Sequence, residues 1–268
     1  MTAKDVSVIG IDLGSRMTKI VRLSGGKIAD AVVFQTGHDP LQSALEAVQE
    51  MNCDTVVATG YGRHLAAESL GCPLVTEIRA CAAGARSLSP GVGSALDIGG
   101  QDSKVVELPA AGGFGRFEMN DRCAAGTGRF LEVMAATLGY SIQDFGVEAL
   151  RADRPVQVNS TCTVFAESEV VSLIARGEDR RRIALGLHLA AARRIAAMVS
   201  RIHTGDRLLF VGGVANNPCM VRALRQELAC EVVVPERPEL VVALGAALIA
   251  AGKNRSPSGD EFRGNSAD

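Results

Sequence analysis

One pattern occurs twice in this sequence, and the repeat constrains the fold more than any other feature. Residues 12–23 read DLGSRMTKIVRL, and residues 97–108 read DIGGQDSKVVEL. The Asp, the first Gly, the hydroxyl residue, the Lys, the second Val and the Leu recur in register, 85 residues apart. Each copy follows an apolar run that is typical of a buried strand, so the repeat predicts a duplicated β-hairpin unit.

Two facing turns of the Asp-x-Gly type suit a polyphosphate ligand. Their glycines let backbone N–H groups point at an anion, and their aspartates can organise a hydrated Mg²⁺. A single turn of this kind is weak support for function, whereas two turns in register are much stronger. We therefore predict a phosphate-binding cleft between Asp12 and Asp97.

A glycine pair closes the apolar strand predicted at residues 208–211. The next residues, 212–217, read GGVANN and precede a helix. Because glycine has no side chain, a planar or charged ligand can approach this backbone closely. The segment is a third candidate for ligand contact.

The remaining patterns predict alternating strands and helices in an α/β fold. We expect an N-terminal lobe at residues 1–95, a C-terminal lobe at residues 96–252 and a polar, disordered tail at residues 253–268. The predicted strands lie at residues 8–13, 18–23, 27–34, 55–59, 114–119 and 208–211, and the predicted helices at residues 41–50, 77–84, 180–203 and 239–251.

Two cysteines lie in polar segments where helical patterns begin. Cys123 lies in NDRCAAGTGRF, and Cys162 lies in STCTVFAESE. Unpaired N–H groups and the dipole at a helix N-terminus favour a thiolate, the form that binds metals. Gly126 and Gly128 predict that a large group approaches the first of these helices. Two thiolates are half of a four-thiolate site.

The alternative for both cysteines is a small buried residue that caps a helix, which is the common role of a lone cysteine. Their paired and polar context favours ligation. The sequence has seven cysteines, an odd number that does not suggest a disulfide framework. The other five lack ligand spacing and are expected to be small buried residues: Cys53, Cys72, Cys81, Cys219 and Cys230.

Charge and hydropathy exclude two classes of partner. The net charge is −2, which provides no basic field for nucleic acid or for an anionic membrane. The N-terminus has no secretion-signal pattern, and the apolar stretch at residues 240–251 is too short to span a bilayer. We expect a soluble cytoplasmic protein that binds neither nucleic acid nor membranes.

Together these segments resemble the acetate and sugar kinase/Hsp70/actin superfamily of ATPases. Residues 12–19 and 97–104 are similar to its two phosphate loops, and residues 212–216 to its adenosine motif. The cysteine segments and TGYGR at residues 59–63 more specifically resemble the 2-hydroxyacyl-CoA dehydratase activator family, which includes ATPase subunits of benzoyl-CoA reductase. One departure is Cys81, where such proteins often have a histidine, and this leaves the role of the helix at residues 77–84 open.

The resemblance implies a duplicated actin-like ATPase fold, with a mixed β-sheet flanked by helices in each of two lobes. It implies that Asp12 and Asp97 lie on the Mg²⁺ side of the nucleotide and that Gln101 lies near the attacking water. The implied contacts to ATP or ADP are Gly14, Ser15, Arg16, Thr18, Lys19, Gly99, Gly100, Gln101, Gly212, Gly213, Val214 and Asn216.

The resemblance also implies ATP-driven electron transfer by a homodimer. Cys123 and Cys162 of each subunit would then bind one [4Fe-4S] cluster shared at the two-fold axis. The implied electron donor is a ferredoxin or a flavodoxin-like protein. The implied acceptor is an iron–sulfur dehydratase or reductase component that acts on an acyl-CoA.

Two other functions fit the same patterns. One is a kinase-like phosphotransferase in which Asp97 is the base for a substrate hydroxyl. The other is an actin-like interaction module in which the four thiolates hold a structural Zn²⁺. The colour and metal content of an anaerobic preparation distinguish the three.

Overall fold

The computed structural model describes residues 6–159 and 163–253. In this part of the chain, strands and helices alternate in two similar halves. The strands are β1 (Val8–Leu13), β2 (Met17–Ser24), β3 (Lys27–Gln35), β4 (Thr55–Thr59), β5 (Ser94–Ile98), β6 (Ser103–Glu107), β7 (Phe117–Asn120), β8 (Arg207–Val211) and β9 (Glu231–Val233). The helices are α1 (Pro40–Met51), α2 (Arg63–Leu70), α3 (Glu77–Leu88), α4 (Gly128–Thr137), α5 (Ile142–Leu150), α6 (Thr163–Ala175), α7 (Arg180–Ile202), α8 (Pro218–Glu227) and α9 (Val241–Lys253).

The first half forms a four-stranded sheet with the strand order β3-β2-β1-β4. Every residue of β1 is buried, because the strand is covered on both faces and its sequence, VIGIDL, is almost continuously apolar. β1 pairs antiparallel with β2 and parallel with β4. The paired ends of β1 and β4 therefore bring Asp12 next to Thr59.

The second half repeats this arrangement in a five-stranded sheet with the order β7-β6-β5-β8-β9. β5 is also buried throughout, and it pairs antiparallel with β6 and parallel with β8. One apolar core joins this sheet to α4, α5, α7 and α8. The duplicated hairpin unit and the α/β class with two mixed sheets are confirmed.

Close backbone contacts hold α3 and α9 together. A Cβ atom on Gly84 would lie 2.1 Å from the Val241 carbonyl oxygen, and one on Gly245 would lie 1.8 Å from that of Ala80. α9 also packs against β1, where a Cβ on Gly10 would lie 2.1 Å from the Ala243 carbonyl oxygen. Only glycine permits such approaches, so these three positions fix the place of the last helix.

The packing of α9 bears on the predicted lobes. The proposed division between residues 95 and 96 falls within β5, and α9 lies against the first sheet although it was assigned to the second lobe. The division into lobes remains a prediction. The predicted disordered tail begins at Lys253, the last residue of α9, and residues 254–268 lie outside the described residues.

α7 is long and apolar enough to cross a membrane by length and composition alone. Its most apolar stretch is 56% buried, and side chains along it pack into the core with α5 and α8. Burial of this kind is typical of the central helix of a folded domain. The prediction of a long helix at residues 180–203 is confirmed.

Several local predictions need correction. The strand expected at residues 114–119 begins only at Phe117, and the sequence patterns did not predict α2, α5 and β9. The apolar residues of α6 are not all buried. Val170 is buried, whereas Phe165 and Val171 are exposed, because only one side of this helix meets the core.

Candidate nucleotide and cluster site

The two halves place an equivalent ion pair at the end of each central strand. Lys19 Nζ lies 2.9 Å from Asp12 Oδ2, and Lys104 Nζ lies 3.3 Å from Asp97 Oδ2. In each pair the lysine is the cross-strand neighbour of the aspartate, because β1 and β2 have the same register as β5 and β6. Both aspartates are buried. The duplicated sequence therefore produces a duplicated acid–base pair.

A glycine with positive φ follows the neighbouring parallel strand in each half. Gly60 has φ +93° and Gly212 has φ +86°. A Cβ on Gly60 would lie 2.5 Å from Asp12 Oδ1, and one on Gly212 would lie 2.4 Å from Asp97 Oδ1. Both positions therefore require glycine for backbone conformation and for space. The TGYGR loop contains the counterpart of the first glycine of the adenosine motif.

Lys104 holds more carboxylates than its counterpart Lys19. Its Nζ also lies 2.8 Å from Glu77 Oε2 and 2.8 Å from Asp102 Oδ2. Burial opposes a charge on Lys104, but the three carboxylates outweigh it and raise its pKa well above the ordinary value. Lys104 therefore remains protonated. Sequence reasoning missed Glu77, whose carboxylate brings the start of α3 to the second phosphate loop.

The first phosphate loop is fixed by its own contacts. Thr36 Oγ1 donates to the Gly14 carbonyl oxygen at 2.8 Å, and Thr36 N donates to the Arg16 carbonyl oxygen at 3.0 Å. Thr18 is fully buried, with its hydroxyl 3.1 Å from that of Thr36. A Cβ on Gly14 would lie 2.7 Å from the Met17 carbonyl oxygen. The loop itself therefore requires the glycine.

The second phosphate loop is bonded to the start of α4. Gly128 N donates to the Gly99 carbonyl oxygen at 2.9 Å, and Arg129 N donates to the Gly100 carbonyl oxygen at 2.7 Å. A Cβ on Gly128 would lie 3.0 Å from the Gly99 oxygen and 3.4 Å from Val214 Cγ2. Gly128 thus permits close packing between protein segments. The expectation that this glycine makes room for an external group is corrected.

Cys123 lies near the start of α4, in the loop that precedes the helix, and not within its first turn. α4 begins at Gly128, and Cys123 lies five residues earlier in the connecting loop. Asn120 Nδ2 donates to the carbonyl oxygens of Cys123 and Ala125, at 2.9 and 3.3 Å. The Cys123 residue is partly exposed. Cys162 lies outside the described residues, so its predicted position at a helix start stays a prediction.

The other five cysteines differ in burial but are all free. Cys81 and Cys219 are buried as predicted, whereas Cys53, Cys72 and Cys230 are half-buried. Burial raises the pKa of each of these thiols and keeps them protonated. Cys81 is therefore a neutral packing residue of α3.

The adenosine motif is accessible on one side and held by hydrogen bonds to the rest of the protein on the other. A Cβ on Gly213 would meet no atom within 4 Å, so its backbone is accessible to a ligand. Gly212 N donates to the Pro238 carbonyl oxygen at 3.0 Å, and Asn216 Nδ2 donates to Glu239 Oε2 at 3.1 Å. Although burial opposes it, hydrogen bonds from Arg237 and Asn216 lower the pKa of Glu239. A carboxylate therefore lies beside this motif.

A buried histidine supports the end of the motif. His188 Nδ1 donates to the Ala184 carbonyl oxygen at 2.7 Å, and its Nε2 accepts from Asn217 Nδ2 at 3.0 Å. Asn217 Oδ1 in turn accepts from the N–H groups of Cys219 and Met220 and so caps α8. Burial lowers the pKa of His188 from 6.5 to about 4. The imidazole is neutral.

This neutral histidine predicts acid sensitivity. Above pH 6.5 the folded and unfolded chains are both neutral at His188, so it adds no pH dependence. Below pH 6.5 the unfolded chain takes up a proton that the folded chain refuses until about pH 4. We expect this residue alone to lower the free energy of unfolding by about 3 kcal/mol across that range.

Urea unfolding from pH 7 to pH 4 tests the expectation. The variant His188→Gln removes the titrating group, and its unfolding free energy should fall less with pH than that of the unmodified protein. His64→Gln, which changes an exposed histidine, is the matched control and should follow the unmodified protein. Parallel curves for His188→Gln and the unmodified protein would contradict a neutral His188.

The donor set at the phosphate loops fits Mg²⁺. No group of three or more His, Cys, Asp or Glu side chains in residues 6–159 and 163–253 is arranged as a metal site. Mg²⁺ does not need one, because it keeps several waters and binds one or two carboxylates together with substrate phosphates. Asp12 and Asp97 each engage a lysine through Oδ2. These two carboxylates would be the ligands of a hydrated ion held between the loops.

For a cluster the described residues offer one suitable thiol. Cys123 is partly exposed in a loop whose carbonyl groups are held by Asn120, so the loop can present its sulfur. A [4Fe-4S] cluster takes four thiolates. The remaining ligands would come from Cys162 and from a second copy of the chain.

The other predicted contacts lie around the two loops. Ser15 is half-buried, whereas Arg16 and Gln101 are exposed at the loop tips. The two loops touch, because a Cβ on Gly100 would lie 2.5 Å from Arg16 Cγ. The structure therefore brings the residues of both loops together. Val214 lies close to the second loop as well, because its side chain approaches Gly128, which is bonded to Gly99.

The sequence matches one protein family and several of its members. The profile of the BadF/BadG/BcrA/BcrD ATPase family matches residues 9–250. A 2-hydroxyisocaproyl-CoA dehydratase activator from Clostridioides difficile is 37% identical over 251 residues, covering 90% of this chain and 94% of that protein. An activator of lactoyl-CoA dehydratase from Anaerotignum propionicum is 40% identical over 251 residues, with 90% and 96% coverage. A benzoyl-CoA reductase subunit from Thauera aromatica is 30% identical, with 90% and 92% coverage.

Solved structures agree in fold. The (R)-2-hydroxyglutaryl-CoA dehydratase component A of Acidaminococcus fermentans superimposes with a TM-score of 0.88 at 35% identity, covering 94% of this chain and all of that chain. The activator of the 2-hydroxyisocaproyl-CoA dehydratase from Clostridium difficile, solved with bound ADPNP, gives a TM-score of 0.86 at 35% identity, with 95% and 100% coverage.

Proposed function

Because this chain belongs to the BadF/BadG/BcrA/BcrD ATPase family, we propose that it hydrolyses ATP to drive low-potential electron transfer to an acyl-CoA-processing partner. The partner is a 2-hydroxyacyl-CoA dehydratase or a related acyl-CoA reductase component. One observation carries the ATPase part of this proposal. Equivalent Asp–Lys pairs, Asp12 with Lys19 and Asp97 with Lys104, lie at the ends of the central strands of two matching sheets, and both aspartates are buried.

In this function the two loops hold the phosphates of ATP or ADP. Asp12 and Asp97 bind waters of Mg²⁺, and Gln101 orients the attacking water. Lys19 and Lys104 each place an ammonium group beside one of these carboxylates. The remaining nucleotide contacts are Gly14, Ser15, Arg16, Thr18, Gly99 and Gly100 at the phosphates, and Gly212, Gly213, Val214 and Asn216 at the adenosine.

The electron-carrying group is a [4Fe-4S] cluster held by Cys123 and Cys162 of two copies. When bound, such a cluster stores and passes single electrons at low potential. Two-fold symmetry supplies the two thiolates that one chain lacks. The helix that follows Cys162 supports a contact between copies, because Val164 and Phe165 are both 68% exposed on α6 and large apolar side chains of this kind favour burial in an interface.

The electron donor in this scheme is a ferredoxin or a flavodoxin-like protein. A reducing cytoplasm fits, since every cysteine in the described residues is a free thiol. Similarity to the Thauera aromatica benzoyl-CoA reductase subunit favours a second candidate, in which the chain is an ATPase subunit of a larger reductase. Size measurement of the purified complex distinguishes these two assemblies.

Anaerobic purification tests the proposal against its alternatives. We expect a brown protein with about four iron atoms for each dimer and with ATPase activity. A colourless, active protein that phosphorylates a small hydroxyl compound would instead indicate a phosphotransferase. Zinc in place of iron would indicate a structural metal site.

Coupling between nucleotide and cluster is a further expected result. Cys123 lies in the loop of residues 121–127, which leads into α4. The first residues of α4, Gly128 and Arg129, are hydrogen-bonded to the second phosphate loop. We expect MgATP, compared with MgADP, to change the reduction potential of the cluster or its accessibility to an iron chelator. Linkage then requires oxidation of the cluster to change nucleotide affinity. Indifference of all three measurements would exclude ATP-gated electron transfer.

A further inference from the structure

Arg16 bridges the two halves of the molecule. Its backbone belongs to the first phosphate loop, and its aliphatic stem lies against Gly100 of the second loop, where a Cβ would meet Arg16 Cγ at 2.5 Å. Its guanidinium group then reaches α4. Arg16 Nη2 lies 2.6 Å from Glu132 Oε2, and Nε lies 3.3 Å from Glu132 Oε1. One side chain therefore connects both loops to α4.

The pairing of Arg16 with Glu132 is two-pronged, and the same fork of donors matches a phosphate equally well. The guanidinium group keeps its charge at any physiological pH. An open cavity of about 1040 Å³ lies beside the pair and is lined by Ser15, Arg16, Arg129 and Glu132, among others. The arginine thus has room to change its partner.

Glu132 has a second cationic neighbour. Arg129 Nη1 lies 3.4 Å from Glu132 Oε2, one helical turn away on α4. If Arg16 leaves, Glu132 keeps a positive partner and no isolated charge remains. Departure of Arg16 therefore requires little free energy, because the lost pair is partly exposed and one of two.

We infer that Arg16 alternates between Glu132 and the terminal phosphate of ATP, so that nucleotide binding releases α4 from the first phosphate loop. The inference rests on the proposed function, since it needs ATP between the loops. Arg16 is then a positioning and sensing residue, and Glu132 competes with the nucleotide for it. α4 stays bonded to the second loop through Gly128 and Arg129, and the loop that contains Cys123 leads directly into it.

Opposite signs in two variants test the inference. Glu132→Gln removes the competitor, so we expect the dissociation constant for MgATP to fall about three- to fivefold. Arg16→Gln removes the phosphate ligand, so we expect MgATP to bind about tenfold or more weakly. The dissociation constant for MgADP, which lacks the terminal phosphate, should change by less than twofold in both variants. Titration calorimetry of the purified protein provides all of these constants.

A purely structural clasp between the lobes would give a different pattern. In that case both variants would lose affinity for MgATP and MgADP alike, and the inference would be overturned. Glu231→Gln, which removes the carboxylate from the exposed Arg207–Glu231 pair, is the matched control and should leave both affinities unchanged. Failure of the unmodified protein to bind ATP would overturn the proposed function itself, so the two failures are distinguishable.

Hydrogen exchange provides a second, independent measurement. In the unmodified protein we expect MgATP to speed amide exchange in the part of α4 that follows Glu132, because the tie to the first loop is lost. Glu132→Gln should show this faster exchange without nucleotide. Release of the helix would be contradicted by two results together: slow exchange of α4 in Glu132→Gln, and no effect of MgATP on α4 exchange in the unmodified protein.

Discussion

Replacement of Asp97 by Asn is expected to lower the rate of ATP hydrolysis by about 100-fold or more while the protein remains folded. The carboxylate of Asp97 is buried at the end of β5, and in our proposal it holds the hydrated Mg²⁺ that neutralises the phosphates. An amide has the same shape but no negative charge. Steady-state phosphate release at saturating MgATP measures the effect.

The fold should tolerate this change because Lys104 keeps two other partners. Glu77 and Asp102 each lie 2.8 Å from its Nζ atom, so loss of the Asp97 charge leaves the lysine paired. Asp102→Asn is the matched control, since it removes another carboxylate from the same lysine. We expect that control to retain most of the activity. Equal losses of ATPase activity in both variants would show that the effect comes from the charge balance around Lys104. They would contradict a role for Asp97 at the metal.

Cys123→Ser or Cys162→Ser is expected to remove the cluster. In our proposal each substitution deletes two of the four thiolates of a symmetric site, and serine is a poor replacement for a soft sulfur ligand. Iron content should fall from about four atoms for each dimer to nearly none, and the visible absorbance should disappear. Dimerisation should also weaken, because the proposed cluster would link the two copies.

ATP binding separates loss of the cluster from loss of the fold. The variants should still bind MgATP, because Cys123 lies in a loop outside the core and five residues before α4. Cys230→Ala changes a half-buried thiol at the opposite edge of the second sheet, before β9, and should keep both iron and colour. Cluster absorbance that survives in either serine variant would show that the ligands are other cysteines.

Sequence reasoning identified the duplicated unit with good accuracy because local rules suffice for it. β1 was predicted with its observed limits, and the Asp–Lys spacing of each hairpin translates directly into a cross-strand pair. The long helix α7 was also predicted, since its apolar pattern continues over 23 residues. Short elements such as α2 and β9 were missed, because a few residues give too little periodicity to distinguish them from loops.

The roles of individual glycines could not be predicted from local sequence patterns. Gly126 and Gly128 indicated a site that a large group approaches, but Gly128 makes room for the second phosphate loop and for Val214. Gly60 was not assigned a role, although it is the structural counterpart of Gly212 beside the first aspartate. Steric need at a glycine is set by segments distant in sequence, so the sequence marks the position but does not name the neighbour.

By itself, the sequence determined which chemical groups end each central strand, because strand register converts the spacing of Asp12 and Lys19, and of Asp97 and Lys104, into contact. Only the tertiary structure decided which distant groups join them. Glu77 on α3 reaches Lys104, and Glu132 on α4 reaches Arg16, across separations of 27 and 116 residues. Such contacts depend on how whole helices pack against two sheets, and no local pattern in the chain encodes that arrangement.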